Sequence, residues 1–304
     1  MIQRPGAPIV PFMRIPPGLD SFARTAALPV TGARLFYYDA GPHGAPEMLL
    51  LHGLGDEADT WRRVLPLLAV RHRVIAPDLP GFGRSPLPPR RFLTPRYLSA
   101  VLIELMGHLE LGPALLVGSS LGAALAQIVA LADPRLVSRL ILVDGGLLAM
   151  TRPRAGMLFM LLPGPGEKRY RSLAADLDAA YASLQPYYGS LGAMPAVERQ
   201  FLRERVGERL ASPTQMRAYF SSFRGFVGWA LFKGRLFARR ASRLAIPATY
   251  VWGEQDHILP VEAGKAACAH HEGAVMSIIP GAGHLPHQET PEAFLRVLDQ
   301  AEGR

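Results

Sequence analysis

Cysteine is nearly absent: Cys268 stands alone in 304 residues, which excludes an internal disulfide and fits a reducing, cytoplasmic compartment. Lysine is almost as scarce, with Lys168, Lys233 and Lys265 the only three among 33 basic residues. The formal charge of +8 therefore rests on arginine, and with no nucleic-acid-binding motif in the chain it reads as arginine-rich codon usage. No nucleic-acid partner is expected. Long apolar runs are missing too: the longest in mid-chain, residues 157–162, stops at Pro163, far short of a bilayer crossing. Pro5, Pro8, Pro11, Pro16 and Pro17 break the first twenty residues, leaving no continuous helix for a signal peptide. Residues 1–30 are expected as an irregular arm. What remains, 49% hydrophobic and 19% charged, is an ordinary globular composition with enough length to bury a sizeable interior.

Short apolar runs and helical spacings alternate along the chain. Residues 34–39, 48–51, 73–78, 114–117 and 139–144 read as strands, and 48–51 is continuously apolar, as in a parallel sheet covered on both faces. Between them, residues 60–69 have one apolar helical face, with Pro66 a candidate kink, and residues 94–109 read as a helix with Thr94 as N-cap and Pro95 in its first turn. The alternation stops at Leu147, gives way to helical patterns punctuated by proline and glycine up to Arg243, and resumes with strands at 248–253 and 274–279 and a closing helix at 291–301. A sheet completed only by segments on both sides of a helical block implies an insertion. The expectation is an α/β fold, a mostly parallel central sheet with helices on both faces, built from residues 31–146 and 244–304, with a helical cap at 147–243.

The stretch around residues 114–132 carries the chemistry. An apolar strand runs into Gly118-Ser119-Ser120-Leu121-Gly122 and then into a small-residue helix. A serine at such a corner, with glycines two positions to either side, is a G-x-S-x-G elbow, because side chains at 118 and 122 would collide as strand and helix close. Ser120 is the candidate nucleophile; with Ser119 the glycines fall at the wrong offsets. A serine hydroxyl needs a base to take its proton, and the base needs a third group to hold it. Gly253-Glu254-Gln255-Asp256-His257 and Pro280-Gly281-Ala282-Gly283-His284 each follow a late strand, so Ser120, Asp256 and His284 are all expected at the carboxyl edge of the sheet, where open α/β sheets bind ligands. Glu254 and Asp144, also near strand ends, are rivals for the acid.

With these pieces in the order Ser, Asp, His, and with His52-Gly53-Leu54-Gly55 and the loop Asp78-Leu79-Pro80-Gly81-Phe82-Gly83-Arg84-Ser85, the sequence resembles the capped branch of the α/β-hydrolase superfamily over nearly all of residues 35–301. The resemblance implies Ser120 as nucleophile, His284 as general base and acid, Asp256 as the orienting carboxylate with Asp144 as backup, and the backbone N–H groups of Leu54 and Leu121 as oxyanion donors. It implies a serine hydrolase of carboxylesterase or lipase type that needs no metal or organic cofactor. Hydrolysis of a carbon–carbon bond of the meta-cleavage type, and a receptor that only binds ligand, are the alternatives. Because residue 120 is Ser and not Asp, an alkyl-enzyme route is disfavoured.

Several residues take structural readings. His52 shapes its loop, Cys268 fills space on a helix, Asp56 and Trp61 cap and pack the following helix, and His287 with His270 or His271 is a weak metal signal. The cap segment 147–243 holds 16 basic and 6 acidic residues and is rich in Met, Phe and Leu, which fits either a solvated arginine-rich surface or peripheral contact with a membrane. Phe159, Tyr181, Tyr187, Tyr188, Tyr219, Phe220, Phe223, Phe226 and Trp229 are expected to divide between cap core and the walls of an apolar pocket for the acyl or alcohol part of a small ester.

Overall fold

A computed structural model describes residues 13–89, 91–149 and 160–303. Eight strands form one sheet in the order β1-β2-β4-β3-β5-β6-β7-β8. They are β1 (Ala23–Leu28), β2 (Ala33–Ala40), β3 (Glu47–Leu51), β4 (Arg73–Pro77), β5 (Ala114–Ser119), β6 (Val137–Val143), β7 (Ala248–Gly253) and β8 (Val275–Ile279). β1 and β2 pair antiparallel at one edge, and every pair from β4 to β8 is parallel.

Both faces of the central strands β3, β4, β5 and β7 are dry, so these strands are apolar without alternation, whereas β8 at the edge leaves Val275 and Ile278 exposed. Met48 and Leu50 of β3 face a layer holding Trp61, Leu65, Phe294 and Leu298, while Leu49 and Leu51 face Leu98, Leu102, Leu125 and Val129. The helices that cover the sheet are α1 (Leu65–Leu68), α2 (Pro95–His108), α3 (Leu121–Ala132), and, after the insertion, α8 (Val261–Ala269), α9 (Pro286–Glu289) and α10 (Pro291–Ala301). Thr94 caps α2 as expected, its hydroxyl accepting the Tyr97 N–H at 3.2 Å.

Two expectations need correction. Residues 23–28 are not part of an irregular arm: they pair with β2 from Ala23 opposite Tyr38 to Leu28 opposite Ala33, burying Ala26 and Leu28. Residues 60–69 are not one helix but a 3-10 turn, Ala58–Trp61, followed by the single turn of α1. Pro66 has no N–H to donate to residue 62, so the chain restarts with this proline in the first turn. Trp61, Val64, Leu65 and Leu68 are buried all the same. Residues 1–12 of the expected arm, residues 157–159 of the apolar run, and with them Phe159, lie outside the described residues.

Among the described residues between the adjacent strands β6 and β7 there are helices and no strand: α4 (Pro165–Ala174), α5 (Leu177–Ala182), α6 (Ala196–Ala211) and α7 (Pro213–Ala241). The prolines that punctuate the sequence open these helices, with Pro165 and Pro213 in first turns and Pro195 at the N-cap of α6. α7 carries six basic and no acidic residues, and its last turns expose Leu231, Phe232 and Leu236.

Candidate active site

Ser120 sits on the corner between β5 and α3 with φ 52° and ψ −110°, a conformation that costs a non-glycine residue on the order of 1–3 kcal/mol. Its N–H donates to the Val143 carbonyl at 2.8 Å, so the end of β6 holds the corner in place. The two flanking glycines are required sterically. A Cβ at Gly118 would come within 2.3 Å of the Gly122 backbone, and one at Gly122 within 2.2 Å of the Leu51 carbonyl oxygen.

The parallel sheet delivers the other groups to the same edge. His284, in the loop after β8, is buried, and its Nδ1 lies 2.7 Å from Asp256 Oδ2, in the loop after β7. The other oxygen of Asp256 accepts the N–H groups of Ile258 at 2.7 Å and Leu259 at 2.9 Å. With Nδ1 bonded to a carboxylate, the ring carries its proton there and presents Nε2 as the base. Glu254 is exposed and accepts the Gly281 N–H at 3.1 Å instead. Asp144 is fully buried directly after β6, and its Oδ1 accepts the Gly253 N–H at 2.8 Å.

The loop after β3 lies against the serine. A Cβ on Gly53 would stand 3.4 Å from that of Ser120, and Leu54 follows in a tight turn closed by the Asp56 N–H on the Gly53 carbonyl at 3.3 Å. Leu121 is the first residue of α3, where an N–H has no intrahelical acceptor and the helix dipole adds positive potential. His52 steadies this loop: its Nδ1 meets the Gly53 carbonyl at 2.8 Å and its Nε2 accepts the Leu79 N–H at 2.9 Å.

The insertion is fastened on both sides of the serine. On one side, Arg209 of α6 makes a bidentate pair with the buried Glu57, both bonds 2.6 Å, and also binds Asp56. Arg205, one turn earlier, binds Asp59 at 2.8 Å, and Arg84 joins Asp59 to Asp78. On the other side, the His284 N–H donates to the Tyr187 carbonyl at 2.9 Å, and Glu289 accepts N–H groups from Gly189 at 2.8 Å and from Gly283 at 2.7 Å. Asp56 is thus not a helix cap, as the sequence suggested: Glu57 stands at the N-cap of the 3-10 turn with no side-chain cap bond, and Asp56 pairs with Arg209 instead. Arg205 and Arg209 were not singled out from the sequence, where they read as part of a solvated basic face.

Of the aromatic set, Tyr219 packs its ring 3.1 Å from where a Gly55 Cβ would lie, and the Tyr187 ring centre is 5.9 Å from that of His284. Tyr188, Phe220, Phe223 and Phe226 are buried. The metal reading of His287 fails. Its Nε2 bonds the Thr60 hydroxyl at 2.9 Å, its ring stacks on Trp61, and burial together with the charge of Arg62 pushes it down to about 3, so it is neutral. His271 lies instead against the Tyr250 hydroxyl.

A model of the alpha/beta hydrolase family matches residues 48–297. An uncharacterized protein of Mycobacterium tuberculosis is 30% identical over 271 residues, covering 89% of this chain and 79% of that one. A 2-hydroxy-6-oxononadienedioate/2-hydroxy-6-oxononatrienedioate hydrolase of Pseudomonas putida is 28% identical over 276 residues, 87% of this chain and 90% of its own. The crystal structure of a carboxylesterase from Bacillus subtilis superposes with a TM-score of 0.72 at 19% identity, over 91% of this chain and 90% of that one, which shows the shared fold. With the family model spanning most of the sheet and every loop that meets at its carboxyl edge, the chain belongs to the alpha/beta hydrolase family.

Proposed function

We propose that this hydrolase cleaves carboxylic esters through an acyl-enzyme intermediate. Ser120 Oγ attacks the ester carbonyl as its proton passes to His284 Nε2, and Asp256 steadies the imidazolium. The N–H groups of Leu54 and Leu121 receive the developing oxyanion, each worth roughly 3 kcal/mol in comparable sites. Collapse of the tetrahedral adduct expels the alcohol, which takes the proton from His284. Water then attacks the acyl group, gives its proton to the same nitrogen, and the acid leaves as Ser120 recovers its hydrogen.

The observation that carries this reading is the 2.7 Å Asp256–His284 bond on the sheet edge where Ser120 is held in its strained corner. The helical insertion serves as the cap, with Tyr187 and Tyr219 offering apolar walls to the acyl or alcohol part. The basic α7, with Leu231, Phe232 and Leu236 exposed among its arginines, supports peripheral contact of the cap with an anionic membrane.

A panel of p-nitrophenyl esters from acetate to long acyl chains, run beside a meta-cleavage product, tests the proposal. Ester turnover abolished by Ser120→Ala is expected. Turnover confined to the meta-cleavage product would replace ester by carbon–carbon hydrolysis. No turnover and no labelling by a fluorophosphonate would leave a ligand-binding receptor.

A further inference from the structure

Asp144 is buried to the same depth as the groups it touches, and half of its carboxyl is unaccounted for. Its backbone N–H donates to the Val251 carbonyl at 2.9 Å and its Oδ1 accepts from Gly253, but Oδ2 is buried with no hydrogen-bond partner among the described residues. Acceptor atoms of Asp144, Asp256 and His284 all lie within 4.8 Å of one another. The titratable groups facing Asp144 are Asp256 from the loop after β7, and His284 and Glu289 from the segment after β8. Two of those three are carboxyl groups, and two carboxylates sealed together cannot both keep their charge.

We propose that Asp144 is a positioning residue that stays protonated, with its Oδ2 proton shared with Asp256, so that the Asp256–His284 pair has a neutral donor at its back where a second anion would otherwise stand. Asp256 already accepts two backbone N–H groups and the imidazole, and the shared proton completes its coordination. Burial first, then the charge of Asp256, pushes the Asp144 carboxyl well above the usual range, while the Gly253 N–H opposes the shift. The donor spreads the Asp256 charge over two acceptors. The carboxylate then holds the imidazolium firmly enough to orient it and loosely enough for the proton to move on to the leaving alcohol. This role in turnover rests on the ester-hydrolase reading; the proton itself does not.

The protonation is read directly by infrared difference spectroscopy at neutral pH. The wild-type protein minus Asp144→Asn is expected to show the carbonyl stretch of a protonated carboxylic acid, and the same band is expected in Ser120→Ala, whatever that serine does. If Asp144→Asn does not fold, the same difference is taken against Asp144→Leu, which leaves the buried Asp59, itself pushed up to about 7, common to both samples; no such band at pH 7 overturns the proposal. Its consequence for turnover is read from pH profiles. Asparagine keeps a donor toward Asp256 and should leave the acid limb of kcat/KM in place, whereas Asp144→Leu removes the donor and should move that limb up by about one pH unit, a loss of about tenfold below it. Coincident profiles for the Leu variant and wild type would overturn the positioning role, and a complete lack of turnover in wild type with the band present would refute the ester reading alone.

Discussion

Replacing Arg209 by methionine tests how the insertion supports the site. Glu57 has no exposed side-chain surface, and Arg209 is its bidentate partner. Burial pushes the Glu57 carboxyl up, but the charge and hydrogen bonds of Arg209, with Arg205 and Arg84 behind, overcome this and hold it at about 2 against an ordinary 4.5. At about 1.4 kcal/mol per unit, that difference corresponds to about 3 kcal/mol of stability. Because the folded pKa is the lower one, this stability is present above pH 4.5 and is lost as pH falls toward 2. Arg209→Met forfeits it at neutral pH, in line with the 3–5 kcal/mol typical of breaking one side of a buried pair. At roughly 2–4 °C per kcal/mol, the melting temperature should fall by about 6–12 °C in scanning calorimetry at pH 7. A second substitution, Glu57→Gln, removes the stranded charge and should restore at least half of the loss. In the single variant the segment carrying Leu54 keeps only its Arg205 ties to α6, so ester turnover should drop about tenfold or more in kcat with KM little changed. A loss under about 1 kcal/mol in the single variant, or a double variant less stable than the single one, would refute the assignment of Arg209 as the partner that neutralises Glu57.

Ser120→Gly should gain about 1–3 kcal/mol in denaturant unfolding, because glycine accepts φ 52° without strain, while losing all ester turnover. Asp144→Asn should flatten the stability profile between pH 4 and 7. In the wild-type protein the raised Asp144 pKa gives stability that is full below the unfolded value near 3.9 and declines by about 1.4 kcal/mol per pH unit above it, as the unfolded chain sheds the proton the native state keeps. Vesicles containing phosphatidylglycerol should cosediment with the protein and phosphatidylcholine vesicles should not, with binding weakened by Phe232→Ser with Leu236→Ser and by high salt.

The strands and the elbow were legible because the physics acting on them is local. An apolar run such as Met48-Leu49-Leu50-Leu51 tolerates only a position buried on both faces, and Gly118 and Gly122 answer a collision within five residues. β1 was hidden because Ala23-Arg24-Thr25-Ala26-Ala27-Leu28 is an edge strand with little apolar contrast, stabilised by pairing with β2. Arg205 and Arg209 were hidden for the opposite reason. Their partners Glu57 and Asp59 are about 150 residues away in the chain, and on a helix dense in arginine nothing local separates a buried guanidinium from a solvated one. The rivalry among acids turned on distances: Asp256 reaches His284, Glu254 points to Gly281, and Asp144 bonds a backbone amide beside them.

The insertion grips the loop after β3 through Arg209 and the loop after β8 through Tyr187 and Glu289, and the serine stands between those grips. Prying this helical roof away would therefore tug on both walls at once. A roof transplanted from a cousin with different handles would fit the sheet and still leave the room beneath it out of true.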